Sequence, residues 1–159
     1  MEFEIFSKEL EIAAKQIKIE LTKEQIEKYY NYMNLLLEWN EKINLTAIID
    51  PKEIILKHFV DSLTIAKYIK KDEKLIDVGT GAGFPGIPVS IVKESTDIVL
   101  LDSLNKRINF LEEVKENLKL KNITTIHGRA EEFGKNKKKR ETYDIATSRA
   151  VAPLNILLE

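Results

Sequence analysis

One short stretch decides what this chain can fold into: Leu75-Ile76-Asp77-Val78-Gly79-Thr80-Gly81-Ala82-Gly83-Phe84-Pro85-Gly86. An apolar run ends on an acid and then breaks into glycines. Four of the chain's six glycines fall between Gly79 and Gly86. Glycine tolerates positive φ, and without a Cβ it lets a ligand come close to the main chain. The apolar residues from Ile87 to Val92 then read as the start of a helix. Strand, glycine loop and helix make the first βα turn of a doubly wound sheet, where nucleotide-like ligands bind.

Two ligand classes use such a loop. Gly81-x-Gly83-x-x-Gly86 spells the dinucleotide fingerprint of an NAD-dependent oxidoreductase. That fingerprint should open as the strand closes, yet Asp77, Val78, Gly79 and Thr80 intervene. Pro85 also removes an N–H where a pyrophosphate wants donors. The other parse, Asp77-x-Gly79-x-Gly81-x-Gly83, is the acid-x-Gly-x-Gly-x-Gly loop of S-adenosylmethionine methyltransferases. That ligand has no phosphate. It carries an ammonium and a sulfonium, so a carboxylate at the strand end suits it. A tight turn that binds nothing is the remaining reading.

Around this loop the chain alternates. Strands are expected at 75–78, 97–101, 123–127 and 143–147, with a helix over about 105–118 between the second and third. Short apolar strands between helices mean a parallel sheet with right-handed crossovers. Upstream, residues 1–71 read as helical. Thr22 with Gln25 forms a capping box ahead of an amphipathic helix with Ile26, Tyr29, Tyr30, Met33, Leu36 and Leu37 inward and Trp39 near its end. Asp50-Pro51-x-Glu53 is a second start signal, for a helix reaching about Ile69. The expected architecture is α/β: a helical cap over 1–71 and a Rossmann-like core over 72–159. Ala152-Pro153-Leu154 opens another helix that stops at Glu159. With four strands ordered 3-2-1-4 the last would be an open edge, covered by another chain or by more of a longer protein.

Composition excludes several classes. With 159 residues the chain can bury a core. There is no cysteine, so disulfides and thiolate metal sites are out, and His58 and His127 lack metal-ligand spacing. No apolar run is long enough for a bilayer, and Met1-Glu2-Phe3-Glu4 has acids where a signal peptide needs bases. A cytoplasmic protein with no metal and no membrane partner is expected. Charge is balanced, 25 basic residues against 26 acidic, so a nucleic acid would have to be met by a local patch. The charge run Lys135-Asn136-Lys137-Lys138-Lys139-Arg140 is one such patch, or a solvated loop.

The remaining chemistry sits at strand ends. Asp102 closes the second strand about twenty residues past Gly83, where an acid accepts both ribose hydroxyls; its other reading is a cap for the helix from Asn105. Ser103 and Leu104 would flank ribose and adenine. Gly128-Arg129-Ala130-Glu131 follows the third strand, where adenine would lie. Glu131 could take the adenine edge or be a first-turn helix acid. Ser148-Arg149-Ala150 follows the fourth strand and puts Arg149 at the mouth of the cleft, or on the surface. No Ser-His-Asp set or paired carboxylates are visible.

The loop from Leu75 through Gly86-Ile87-Pro88 closely resembles that of the bacterial RsmG proteins, also called glucose-inhibited division protein B. So do Leu101-Asp102-Ser103-Leu104-Asn105-Lys106-Arg107, Gly128-Arg129-Ala130-Glu131-Glu132 and Ser148-Arg149-Ala150. Trp39-Asn40-x-x-Ile43-Asn44-Leu45-Thr46 and Lys57-His58-Phe59-Val60-Asp61-Ser62-Leu63 match that family's helical cap. The resemblance implies methylation of N7 of one guanine in the 530 loop of 16S ribosomal RNA, with S-adenosylmethionine as cofactor. It also implies that Gly79, Phe84, Asp102, Ser103, Leu104, Ala130, Glu131 and Arg149 line the cofactor site. Asp77, Gly81 and Gly83 complete that set from the loop. Arg149 is the candidate for positioning the donor or target. Lys106, Arg107, Lys137, Lys138, Lys139 and Arg140 are candidates for phosphate contacts with the rRNA or small subunit. The family's sheet continues through further strands that this sequence does not supply. A truncated module that only holds the cofactor is therefore an alternative, as is the NAD-dependent enzyme.

Overall fold

The computed structural model describes residues 1–136, 139 and 141–149. Helix α1 (Phe3–Gln16) buries Phe6, Leu10, Ala13 and Ala14 on one stripe. Helix α2 (Lys23–Ile43) opens on the expected capping box, with the Gln25 N–H donating to Thr22 Oγ1 and the Thr22 N–H to Gln25 Oε1. Its buried face is Ile26, Tyr29, Tyr32, Met33 and Leu36. Tyr32 belongs on that face, while Tyr30 and Leu37 are only partly buried.

Helix α3 (51–63) begins where expected, with Asp50 Oδ1 accepting the Lys52 and Glu53 N–H groups at 3.0 Å each. It is not the uniform α-helix that the sequence predicts. Ile54–Val60 is π-helical, Asp61–Leu63 is α-helical, and a 3₁₀ turn at Ala66–Tyr68 closes the segment. The looser π winding brings three consecutive residues, His58, Phe59 and Val60, into the interior.

The sheet comprises β1 (Lys74–Val78), β2 (Asp97–Asp102), β3 (Ile123–His127) and β4 (Ile145–Thr147), all parallel, in the order β3-β2-β1-β4. The last strand is shorter than predicted. Asp144 sits before it, where its N–H donates to the Lys74 carbonyl and its carboxylate accepts the Lys74 N–H. Crossover helices are α4 (Gly86–Val92), α5 (Asn105–Asn117) and α6 (Ala130–Lys135). Helix α2 packs on α4 and α5, and the end of α3 packs on α4. One apolar core runs from Phe6 in α1 to Ile123 in β3. Among the described residues no helix is long and apolar enough to cross a membrane.

Candidate cofactor site

Past Val78 the chain leaves the sheet through Gly79, Gly81 and Gly83, at φ +66°, +62° and +98°. These are left-handed conformations that side chains resist, which accounts for the glycines. The loop is pinned to the end of β2. Gly79 and Thr80 N–H groups both donate to the Leu101 carbonyl, at 2.8 and 3.1 Å, and the Gly81 N–H donates to Asp102 Oδ2 at 2.9 Å. Asp102 Oδ1 accepts the Leu104 N–H at 2.9 Å, and the Asp102 carbonyl accepts the Gly128 N–H at 3.0 Å. Asp102, 2% exposed, thus joins the turns after β1, β2 and β3.

Those turns enclose a cleft of about 280 Å³ lined by Val78, Gly79, Leu101, Asp102, Ser103, Gly128, Arg129, Ala130 and Glu131. It lies beyond the carboxyl ends of the strands, where open α/β sheets bind ligands. Its volume is near the lower limit of small-molecule sites, roughly 300 Å³. Leu104, 48% exposed, follows the cleft's Ser103. Larger is an open groove of about 640 Å³ between the α1–α2 turn, the end of α3 and Lys93, away from the glycine loop.

Asp77 lies beneath the loop. It is fully buried, and its Oδ2 accepts Thr80 Oγ1–H at 2.7 Å and the Gly86 N–H at 2.9 Å. Its Oδ1 is buried with no partner. Burial pushes the carboxyl up to about 6, against the two hydrogen bonds and the charge of Arg149, which pull it down. Gly86 is packed so closely that a Cβ there would collide with Leu100 Cδ2 and come within 2.9 Å of Asp77 Oδ2. Its N–H is committed to Asp77, so the third glycine of the dinucleotide parse faces inward and presents no donor to a pyrophosphate.

Phe84 and Arg149 stand on the other side of the loop. Phe84 is 4% exposed and stacks on His58, with ring centroids 4.3 Å apart and planes at 16°. Arg149 Cζ is 5.0 Å from the Phe84 ring centroid. Arg149 donates to the Lys57 carbonyl and Asp61 Oδ2, both at 3.2 Å, and to His58 Nδ1 at 3.1 Å. The model of the family described as GidB, rRNA small subunit methyltransferase G, matches residues 25–159.

The chain belongs to the GidB family. It is similar to the ribosomal RNA small subunit methyltransferase G of Clostridium botulinum strain Eklund 17B, at 58% identity over 92% of this chain and 62% of that protein. It is also similar to that of Desulforamulus reducens, at 53% identity over 94% of this chain and 63% of that protein. The chain thus spans a little under two thirds of the length of these curated relatives. A solved structure of a mutant of MtNAS shares the fold, with a TM-score of 0.51 and 14% identity over 79% of this chain and 50% of that one.

In this GidB-family chain, five of the residues singled out from sequence meet on one cleft: Gly79, Asp102, Ser103, Ala130 and Glu131. Gly81 and Gly83 shape its loop, and Leu104 is at its edge. Asp77, Phe84 and Arg149 lie outside the cleft lining, against the loop's inner and far sides. Of the basic residues, Lys106 is exposed, but Arg107 turns back to Asp102 Oδ2 at 3.3 Å. Lys139 Nζ lies 4.8 Å over the Phe133 ring. Lys137, Lys138 and Arg140, and the helix expected from Ala152, lie outside the described residues.

Sequence reading missed the cap's contribution. Tyr32 donates its hydroxyl to the Ala82 carbonyl at 2.5 Å, and Tyr29 donates to the Pro88 carbonyl at 2.7 Å. Full burial raises both phenols well above 10, so they act as neutral donors. The i, i+3 spacing of Tyr29 and Tyr32 was the available signal. His58, for which the sequence shows only the lack of metal-ligand spacing, is buried and makes two polar contacts that no periodicity foretells.

Proposed function

We propose that this chain binds S-adenosylmethionine at the carboxyl ends of β1, β2 and β3 and methylates N7 of a guanine in the 530 loop of 16S ribosomal RNA. The observation that carries the reading is the cradle in a GidB-family chain: bare backbone at Gly79, a carboxylate at Asp102, and the Ala130–Glu131 turn on one cleft. The residues present fit the cofactor's chemistry. Asp102 has acceptor lone pairs for a ribose diol, and exposed Leu104 offers an apolar face for adenine. Glu131 and the backbone after β3 can meet the adenine edge. The buried Asp77 Oδ1 beneath the glycine loop has no partner and is the acceptor assigned to an ammonium, and Arg149 is the cation on the loop's far side.

When bound, the cofactor supplies an electrophilic methyl on a sulfonium. Guanine N7 carries a free lone pair at neutral pH, so the protein need not supply a general base. The chain's task is to align the two reactants and exclude water. Phosphate contacts come from Lys106 and the basic segment 135–140, and the substrate puts the activity in the cytoplasm.

Calorimetric titration with S-adenosylmethionine and, separately, NADH tests the reading. Only the former should bind, and Asp102→Ala should weaken it by at least about tenfold. Unchanged affinity in that variant removes the ribose assignment, and NADH binding revives the oxidoreductase. Single-turnover transfer of a labelled methyl to undermethylated small subunits separates an enzyme from a module that only holds its cofactor.

A further inference from the structure

His58 uses both ring nitrogens. Nε2 is 2.9 Å from Thr46 Oγ1, and Nδ1 is 3.1 Å from an Arg149 NH2 nitrogen. A guanidinium only donates, so Nδ1 must be the acceptor and carry no proton. A neutral ring then carries its hydrogen on Nε2 and donates it to Thr46 Oγ1. Burial and the adjacent guanidinium both disfavour a charged imidazole, holding it near 4. Thr46 is fixed in turn: its N–H donates to Asn40 Oδ1 at 2.8 Å, and its Oγ1 accepts the Ile48 N–H at 3.0 Å. The end of α2, the α2–α3 loop and the π-helical turn therefore set the ring's position and its tautomer.

Arg149 is anchored at the other end by the cofactor loop's own strand. Ser148 Oγ–H donates to the Val78 carbonyl, the last residue of β1, at 3.0 Å. The guanidinium lies near Phe84, and its charge acts on both Asp77 and Tyr32 beneath the glycine loop. Of its α3 partners, Asp61 is 57% exposed on its side chain, and the Lys57 carbonyl is backbone. The buried, tautomer-fixed acceptor is His58.

We propose that His58 is a positioning residue for Arg149, its Nδ1 lone pair holding the guanidinium on Phe84 so that the helical cap fixes the far side of the glycine loop that carries the cofactor site. The role rests on the cofactor reading above. It gives a reason why Asn40, Thr46 and His58, remote from the cleft, belong to the same device as Arg149.

The two amide substitutions separate this role from packing. Asn places its Oδ1 where Nδ1 was and keeps an acceptor for Arg149. Gln places its amide nearer the Nε2 position, keeps Thr46 and loses that acceptor. His58→Gln should weaken S-adenosylmethionine binding about tenfold, and His58→Asn less than about threefold, with folding of each checked by melting. Equal affinities in the two variants, or a larger loss in Asn, overturn the proposal. A second measurement needs neither cofactor nor an altered His58. Long-range ¹H–¹⁵N spectra of the native chain should show His58 protonated on Nε2 alone at neutral pH, with Nδ1 shifting in Arg149→Lys. A protonated Nδ1, or an Nδ1 that ignores Arg149→Lys, overturns it as well. If the native chain binds no S-adenosylmethionine while those spectra are as expected, the cofactor reading fails and the His58–Arg149 contact stands without its function.

Discussion

The two aspartates at the ends of β1 and β2 are both buried, yet their carboxylates do different work. Asp102 accepts the Gly81 N–H and an Arg107 N–H on Oδ2 and the Leu104 N–H on Oδ1, which keeps acceptor capacity. Its carbonyl takes the Gly128 N–H, so the residue binds three turns together. Asp77 keeps one oxygen without any partner. A carboxylate in that state is destabilised by lost hydration, and its affinity for a proton rises accordingly. With a folded-state value raised to about 6, from 3.8, Asp77 binds a proton in the native chain over a range where the unfolded chain has released it. Its contribution to stability is therefore complete below pH 4 and is lost as pH climbs through 6. The shift corresponds to something on the order of 3 kcal/mol. Urea unfolding of the native chain and of Asp77→Asn at intervals from pH 4 to 7 isolates it, because all other titrations cancel in the difference. The native chain's stability relative to the variant should decline across that range. A flat or rising difference would mean that the carboxylate is solvated or paired.

At the scale of elements, the cap helices hold the glycine loop from behind. Tyr29 and Tyr32 point the same way from α2, and their hydroxyls reach two different carbonyls. Pro88 is within α4, whose own ladder also approaches its carbonyl; Ala82 is in the loop and has no such ladder. Tyr32→Phe should cost about 1–3 kcal/mol, because it leaves a buried acceptor short of a donor, and Tyr29→Phe should cost less. Denaturant midpoints of the two variants decide the order. A larger loss at Tyr29 would put the weight of the contact on α4 and not on the loop. The sequence displayed some of this and concealed the rest, for physical reasons. The strands were readable because parallel strands buried on both faces are short apolar runs, as at Leu75-Ile76 and Ile98 to Leu101. The glycine loop and Asp102 were readable because their residue types answer to backbone conformation and position. Tyr32 was missed because a tyrosine fits either face of an amphipathic helix. The π-helical turn was invisible because no residue type demands i→i+5 bonding. The His58–Arg149 contact joins residues 91 positions apart, and only the folded sheet brings them together. The inward aim of Asp77 depended on which side of the loop the glycines turn toward.

For the molecule as a whole, the question is whether the helical cap and the sheet unfold together. Their boundary near residue 71 separates two kinds of secondary structure but not two cores. Phe59 of α3 lies 5.1 Å from Tyr29 and 6.2 Å from Phe84, ring centre to ring centre, so aromatic packing runs from the cap into the glycine loop. At the far end of α2, Trp39 packs on Phe110 of α5 at 5.7 Å. Trp39 is the chain's only tryptophan, and its fluorescence therefore reports on this junction. Far-UV circular dichroism reports on all the helices and the sheet at once. If cap and sheet share one cooperative unit, the two signals should follow the same urea transition, with the same midpoint and slope. A junction held only by surface contacts would behave otherwise: fluorescence would change first, with most of the ellipticity still in place. Buried tyrosine hydroxyls crossing the junction, together with an unbroken apolar core, favour the single transition. The same coupling ties the cap to the proposed cofactor site, because anything that loosens α2 or α3 also releases the loop's carbonyls and the partners of Arg149.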